Sequence, residues 1–93
     1  MVNVKVKYLA VLRGLSDSPE RSVQMGGSTL GELMADLFRA ENEQLKSRLF
    51  GDGRARPDVL MFINGVEVSL LGGTHAKLKD GDEVTFLPSV HGG

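Results

Sequence analysis

The residues best suited to chemistry close the sequence: Ser89-Val90-His91-Gly92-Gly93. Two consecutive glycines, lacking Cβ atoms, make the slimmest and most pliable peptide available. Such an end contributes nothing to folding unless something ties it down. What it offers is passage: it can be threaded down a channel too narrow for side chains, with the Gly93 carboxylate presented to chemistry inside another protein. Gly92 is then the slim spacer that lets it through. Fully extended, residues 89–93 reach roughly 17 Å, enough to enter a buried site while the domain stays outside.

Other chemistry is poorly provided for. The chain has no cysteine, which removes a disulfide framework, a zinc–cysteine site, an iron–sulfur cluster and a cysteine nucleophile or persulfide. Two histidines are too few for a histidine-rich metal site; His75 reads as a loop residue after a glycine turn and His91 as an exposed residue of the tail. No glycine-rich phosphate loop ending in Lys-Ser/Thr is present, so no ATP site of that kind is expected here. Asp80, Asp82 and Glu83 could steer a basic partner, but a turn accounts for them. Gly26-Gly27 precedes a helix start, where an anion could bind, or is a simple strand-to-helix turn.

The chain that must hold the tail is one domain, 1–88, with 89–93 as a flexible extension. At 93 residues it buries roughly 60–65% of its surface on folding. A net charge of −1 without any lysine or arginine run argues against nucleic acid or an anionic membrane as partner. The start, Met1 to Lys7, alternates and is no signal peptide; no apolar stretch reaches membrane-spanning length. A cytoplasmic location is expected.

Val2, Val4, Val6 and Tyr8 alternate with Asn3, Lys5 and Lys7, the period of a half-buried strand. A second strand is expected over Glu20–Met25, behind a loop at Ser16–Pro19. Thr29-Leu30-Gly31-Glu32 has capping-box spacing, and Leu30, Leu33, Met34, Leu37 and Phe38 form one helix face. A short second helix fits Glu41–Phe50, and Gly51–Pro57 reads as a mobile loop. Val59–Ile63 is a dense apolar strand closed by Asn64-Gly65, a strong hairpin signal, with Val66–Val68 returning. Asp80-Gly81 introduces a last strand, Glu83–Leu87. Glycines 65, 72, 73 and 81 read as turn residues with positive φ. Strands around one amphipathic helix predict an α+β domain: a β-grasp, ubiquitin-like, with a mixed sheet of four to five strands, one main helix across one face, and the first and last strands adjacent.

Asn64-Gly65, Leu71-Gly72-Gly73, Leu78 to Val84, Phe86-Leu87-Pro88 and the closing Gly92-Gly93 resemble the MoaD/ThiS sulfur-carrier proteins, over the whole chain and most strongly from Val59 onward. The nearest shapes are the molybdopterin synthase small subunit and the CysO-type carrier. The resemblance implies a cosubstrate, not an enzyme. In that family a ubiquitin-activating-type adenylyltransferase joins the terminal carboxylate, here Gly93, to AMP from ATP; sulfide or a persulfide then displaces AMP to leave a thiocarboxylate. A sulfur-accepting enzyme, such as the molybdopterin synthase large subunit or a cysteine-synthase-like protein, takes the sulfur. Without cysteine, this chain could carry sulfur covalently only at its carboxyl end or through a bound cofactor; the resemblance implies none bound, ATP being used by the partner. An isopeptide-forming modifier and a binding domain with an inert tail remain alternatives, while a β-grasp ferredoxin is excluded by the missing cysteines.

If Val4, Val6, Tyr8, Val84 and Phe86 face the helix, then Lys5, Lys7, Leu9, Thr85 and Leu87 face away. Leu9 and Leu87, with Pro88 and Val90 at the root of the tail, form an expected partner patch. The resemblance also places partner contacts at Leu9 and Leu87. It aligns Glu67 with a partner-facing apolar position of the molybdopterin synthase small subunit, a departure that leaves the CysO-type carrier open.

Overall fold

The computed structural model describes residues 1–89, so the readings for Val90, His91, Gly92 and Gly93 lie outside the described residues. Strand β1, Val2–Tyr8, buries Val4, Val6 and Tyr8 on one side. Its antiparallel neighbour β2 is Glu20–Met25. Between them lies a five-residue helix α1, Val11–Leu15, around buried Leu12. The sequence reading did not anticipate it, because a single turn is shorter than the window in which helical periodicity becomes visible.

Helix α2, Leu30–Ala40, begins as expected: Thr29 Oγ1 accepts from the Glu32 N–H at 3.2 Å, and the Glu32 carboxylate accepts from the Thr29 N–H at 3.1 Å. Leu30, Leu33, Met34 and Leu37 are buried against the sheet, but Phe38 is 47% exposed and meets Phe50 edge-on, ring centroids 5.5 Å apart. It lies at the margin of the apolar stripe, beyond the sheet's cover. Helix α3, Glu43–Leu49, is capped by Asn42, whose Oδ1 accepts from the Leu45 N–H at 2.9 Å.

The expected loop at 51–57 is instead a small hairpin: β3, Phe50–Gly51, pairs with β4, Arg54–Ala55. Asp52 (φ 53°) and Gly53 (φ 74°) supply the two left-handed residues of its turn. Strand β5 is Val59–Ile63 and β6 is Val66–Glu67; Val68 already opens a 3-10 turn, Val68–Leu71, followed by another at Gly73–His75. Glycines 65, 72, 73 and 81 all have positive φ.

The last strand, β7, is Glu83–Pro88. The sheet order is β2-β1-β7-β5-β6, with β7 parallel to β1 and antiparallel to β5. This mixed five-stranded sheet with α2 across one face is the ubiquitin-like β-grasp. Its core is a sandwich of Val4, Val6, Tyr8, Val84 and Phe86 against Leu30, Leu33 and Leu37. The last described strand, β7, is therefore flanked on both sides.

Candidate functional site

In a pleated sheet, paired residues share a face and successive residues alternate. Val84 and Phe86 point inward, opposite Ile63 and Met61 of β5. Leu87 and its partner Leu60 therefore point outward, as do Thr85 and its partners Phe62 and Lys7. Leu9 continues the outward alternation of β1, and its N–H donates to the Phe86 carbonyl at 3.0 Å. Leu9, Leu60, Phe62 and Leu87 are each half-buried and form an apolar face around Thr85.

Lys7 and Glu83 pair at 3.4 Å on this face. Glu67 stands opposite Phe62 in the β5–β6 register. Its carboxylate accepts from the Ser69 hydroxyl and from the Ser69 N–H, the latter at 3.1 Å, and these bonds hold it below the usual carboxylate range. A fixed negative charge thus borders the apolar surface.

Leu9 and Leu87 lie where alternation put them. Pro88 does not join them: it is buried, paired with Val59, and points inward one residue beyond Leu87. Leu60 and Phe62 were missed. Their signal was present, since counting by two from Val59 puts both outside, but the unbroken apolar run Val59–Ile63 conceals the alternation.

The root of the tail is also tied down. The Ser89 N–H donates to the Asp58 carbonyl at 2.7 Å, continuing the β5–β7 ladder past Pro88. The Asp58 carboxylate accepts from Arg48 Nη1 of α3 at 3.2 Å. The other candidate, the start of α2, is already filled: the Glu32 carboxylate accepts the Ser28 and Thr29 N–H groups, each at 3.1 Å, and the Thr29 hydroxyl. Those bonds lower its pKa. It sits where a Cβ on Gly27 would have to go, so Gly26-Gly27 is the turn that admits it. Among the described residues no group of three or more His, Cys, Asp or Glu could hold a metal, and no helix is long and apolar enough to cross a membrane.

The model of the ThiS family matches residues 6–93. The chain belongs to the ThiS family. This ThiS-family chain is 34% identical to the sulfur carrier protein CysO of Mycobacterium tuberculosis, over 99% of its own length and 100% of that protein's. It superposes on the solution structure of small archaeal modifier protein 1 from Methanosarcina acetivorans with a TM-score of 0.84, at 31% identity, covering 100% and 98% of the two chains. A chain of the Amycolatopsis orientalis BexX/CysO complex matches with a TM-score of 0.73, at 32% identity, covering 97% and 99%. The ThiS-family chain is thus a ubiquitin-like protein of the sulfur-carrier and modifier class, and relatives of it are small sulfur carriers.

Proposed function

We propose that this protein is a sulfur carrier whose working group is the Gly93 carboxylate. One carboxylate oxygen attacks the α-phosphorus of ATP in the active site of a ubiquitin-activating-type adenylyltransferase, and pyrophosphate leaves. The acyl-adenylate is a mixed anhydride with a stabilised leaving group. Sulfide, or a persulfide followed by reductive release, displaces AMP and leaves a thiocarboxylate. An acceptor enzyme then takes the sulfur. The protein is a cosubstrate in these steps: the partner holds ATP, and this chain contributes a docking face and a thin, reactive end.

The observation that carries the reading is the path of β7. It runs through the middle of the sheet, presents Leu87 beside Leu60 and Leu9 on the open face, and hands the chain to the segment bearing Gly92-Gly93. Likeness to CysO along the whole chain supports the sulfur chemistry, and the BexX/CysO complex supports a protein partner. The charge of Glu67 beside Phe62 supports the CysO-type carrier over the small subunit of molybdopterin synthase. A second reading, a modifier joined through Gly93 to a target lysine, is favoured by the likeness to small archaeal modifier protein 1. Both begin with the same acyl-adenylate and differ in the nucleophile.

The test is the intact mass of the C-terminal peptide after incubation with the host adenylyltransferase, ATP and sulfide. Exchange of one oxygen for sulfur, lost on deleting Gly93, is the result expected. AMP release with the carboxyl joined to lysine would favour the modifier, and neither product would refute both.

A further inference from the structure

Beside the root of the C-terminal segment lies an open cleft of about 400 Å³, walled by Leu15 of α1, Gln44, Ser47 and Arg48 of α3, and Arg56 and Asp58 ahead of β5. Arg56 is anchored twice. Its backbone N–H donates to the Leu49 carbonyl at 2.8 Å, and its side-chain Nε donates to the Ser47 carbonyl at 2.7 Å. Ser47 is in the last turn of α3, where carbonyls have no partner within the helix. An arginine held at Nε keeps its terminal amino groups as a planar fork of donors. Arg48 gives one N–H to Asp58. Two guanidinium groups against one carboxylate leave the cleft a net positive charge. Asp58 belongs both to the cleft and to the root of the tail, since its carbonyl receives the Ser89 N–H at 2.7 Å.

We propose that this cleft docks carboxylate side chains of the protein that takes in the C-terminal segment; the inference rests on the reading above for that partner's identity. Three features favour the choice. Ser89, the last described residue before that segment, is bonded to Asp58, which is one wall of the cleft, so the cleft adjoins the point at which a partner would take up the segment. A terminal guanidinium fork matches a carboxylate bidentately, and an arginine already fixed by two backbone bonds loses little freedom on binding. The negative end of the α3 dipole also lies here and opposes any anion, but a multiply charged phosphate more than a single carboxylate, so between the two it selects the carboxylate. The apolar sheet face supplies adhesion, and this cleft sets how the partner is turned about the axis of β7.

The experiment measures dissociation constants for the host adenylyltransferase by titration calorimetry at low and high salt. Gln44→Glu adds a negative charge to the cleft without removing any observed contact; Arg56→Glu removes the fork. Both are expected to weaken binding about tenfold and to flatten its salt dependence, while Arg39→Glu on α2 changes affinity less than twofold. Unchanged affinity in Gln44→Glu, or an equal loss in Arg39→Glu, would overturn the proposal, as would a wild-type protein that fails to bind the enzyme. Inorganic phosphate binding that is lost in Arg56→Glu, with partner affinity intact, would assign the cleft to a free anion and overturn it too. A wild-type protein that binds but is never adenylated would sink the Gly93 reading and leave the affinity comparison standing.

Discussion

The hydroxyl of Tyr8 donates to the carboxylate of Glu41, joining the end of β1 to the C-terminal cap of α2 in the buried core. Arg21 of β2 approaches the other carboxylate oxygen at 3.5 Å, and the Tyr8 ring lies 5.5 Å from that of Phe86 in β7. Glu41 is the one buried charged residue among those described, and it is fully supplied with partners. Tyr8→Phe withdraws its shortest bond and leaves a carboxylate in the core with Arg21 alone. A loss of about 1–3 kcal/mol follows, to be read from urea unfolding.

Burial first, and then the bond to Glu41, push the Tyr8 phenol well above its ordinary value of 10.0. A raised folded pKa means the unfolded chain loses its proton first as pH rises. The contribution is therefore complete below about pH 10 and is lost progressively above it. Wild-type protein should lose stability above pH 10 more steeply than Tyr8→Phe. The chain has a single tyrosine, so its ultraviolet titration should coincide with alkaline unfolding. Ionisation of Tyr8 in protein still folded would contradict this.

On the open sheet face, Leu87→Asp replaces an outward leucine whose cross-strand neighbour is Leu60. Affinity for the adenylyltransferase should fall by at least tenfold, as expected for the centre of a docking surface, while the melting temperature changes little. Phe86→Ala, one residue away but inward, should do the reverse: a loss of about 3–5 kcal/mol. Equal effects at the two positions would place Leu87 in the core.

Deleting Gly93 should abolish both AMP release and thiocarboxylate formation. Gly92→Val should keep partner affinity and melting temperature while slowing adenylation by about a hundredfold or more, since misplacement by about an ångström is that costly. Unaltered turnover in Gly92→Val would rule out a narrow channel.

At the start of α2, Thr29→Ala should cost about 1 kcal/mol by removing the N-cap. The neighbouring Glu32 carboxylate is held below its ordinary pKa by the Ser28 and Thr29 bonds. Its contribution is thus present above the ordinary carboxylate range and lost as pH falls through it. Acid denaturation curves of Glu32→Gln should be correspondingly flatter.

Legibility from sequence followed the length of each signal. Thr29, Glu32 and five apolar positions spread over nine residues describe α2 almost completely, and the alternation of β1 extends over seven. The five residues of α1 contain barely one turn. Asp52-Gly53 carries the same turn chemistry as Asn64-Gly65, but the two-residue strands beside it offer no period to read. The site divided the same way. Leu9 and Leu87 follow by counting outward from the clear alternation of Val4, Val6 and Tyr8 and of Val84 and Phe86, whereas Leu60 and Phe62 are hidden inside an apolar run. Pro88 failed for a different reason: proximity in sequence to the tail says nothing about which side of the sheet a residue takes, and parity does. The Arg56 anchor on Ser47 joins residues nine apart through a helix end, which no local pattern announces.

The placement of β7 has a mechanical meaning. A partner that draws the C-terminal segment inward pulls along the axis of a strand bonded on one side to β1 and on the other to β5. Load in that direction shears two ladders together instead of opening them one bond at a time, as it would for a strand peeled from a sheet edge. Tension on the tail is therefore passed to the domain as a whole. On the function proposed above, the body would come against its partner before any part of it gave way, and the pull that delivers the glycine end would also seat the sheet face bearing Leu87.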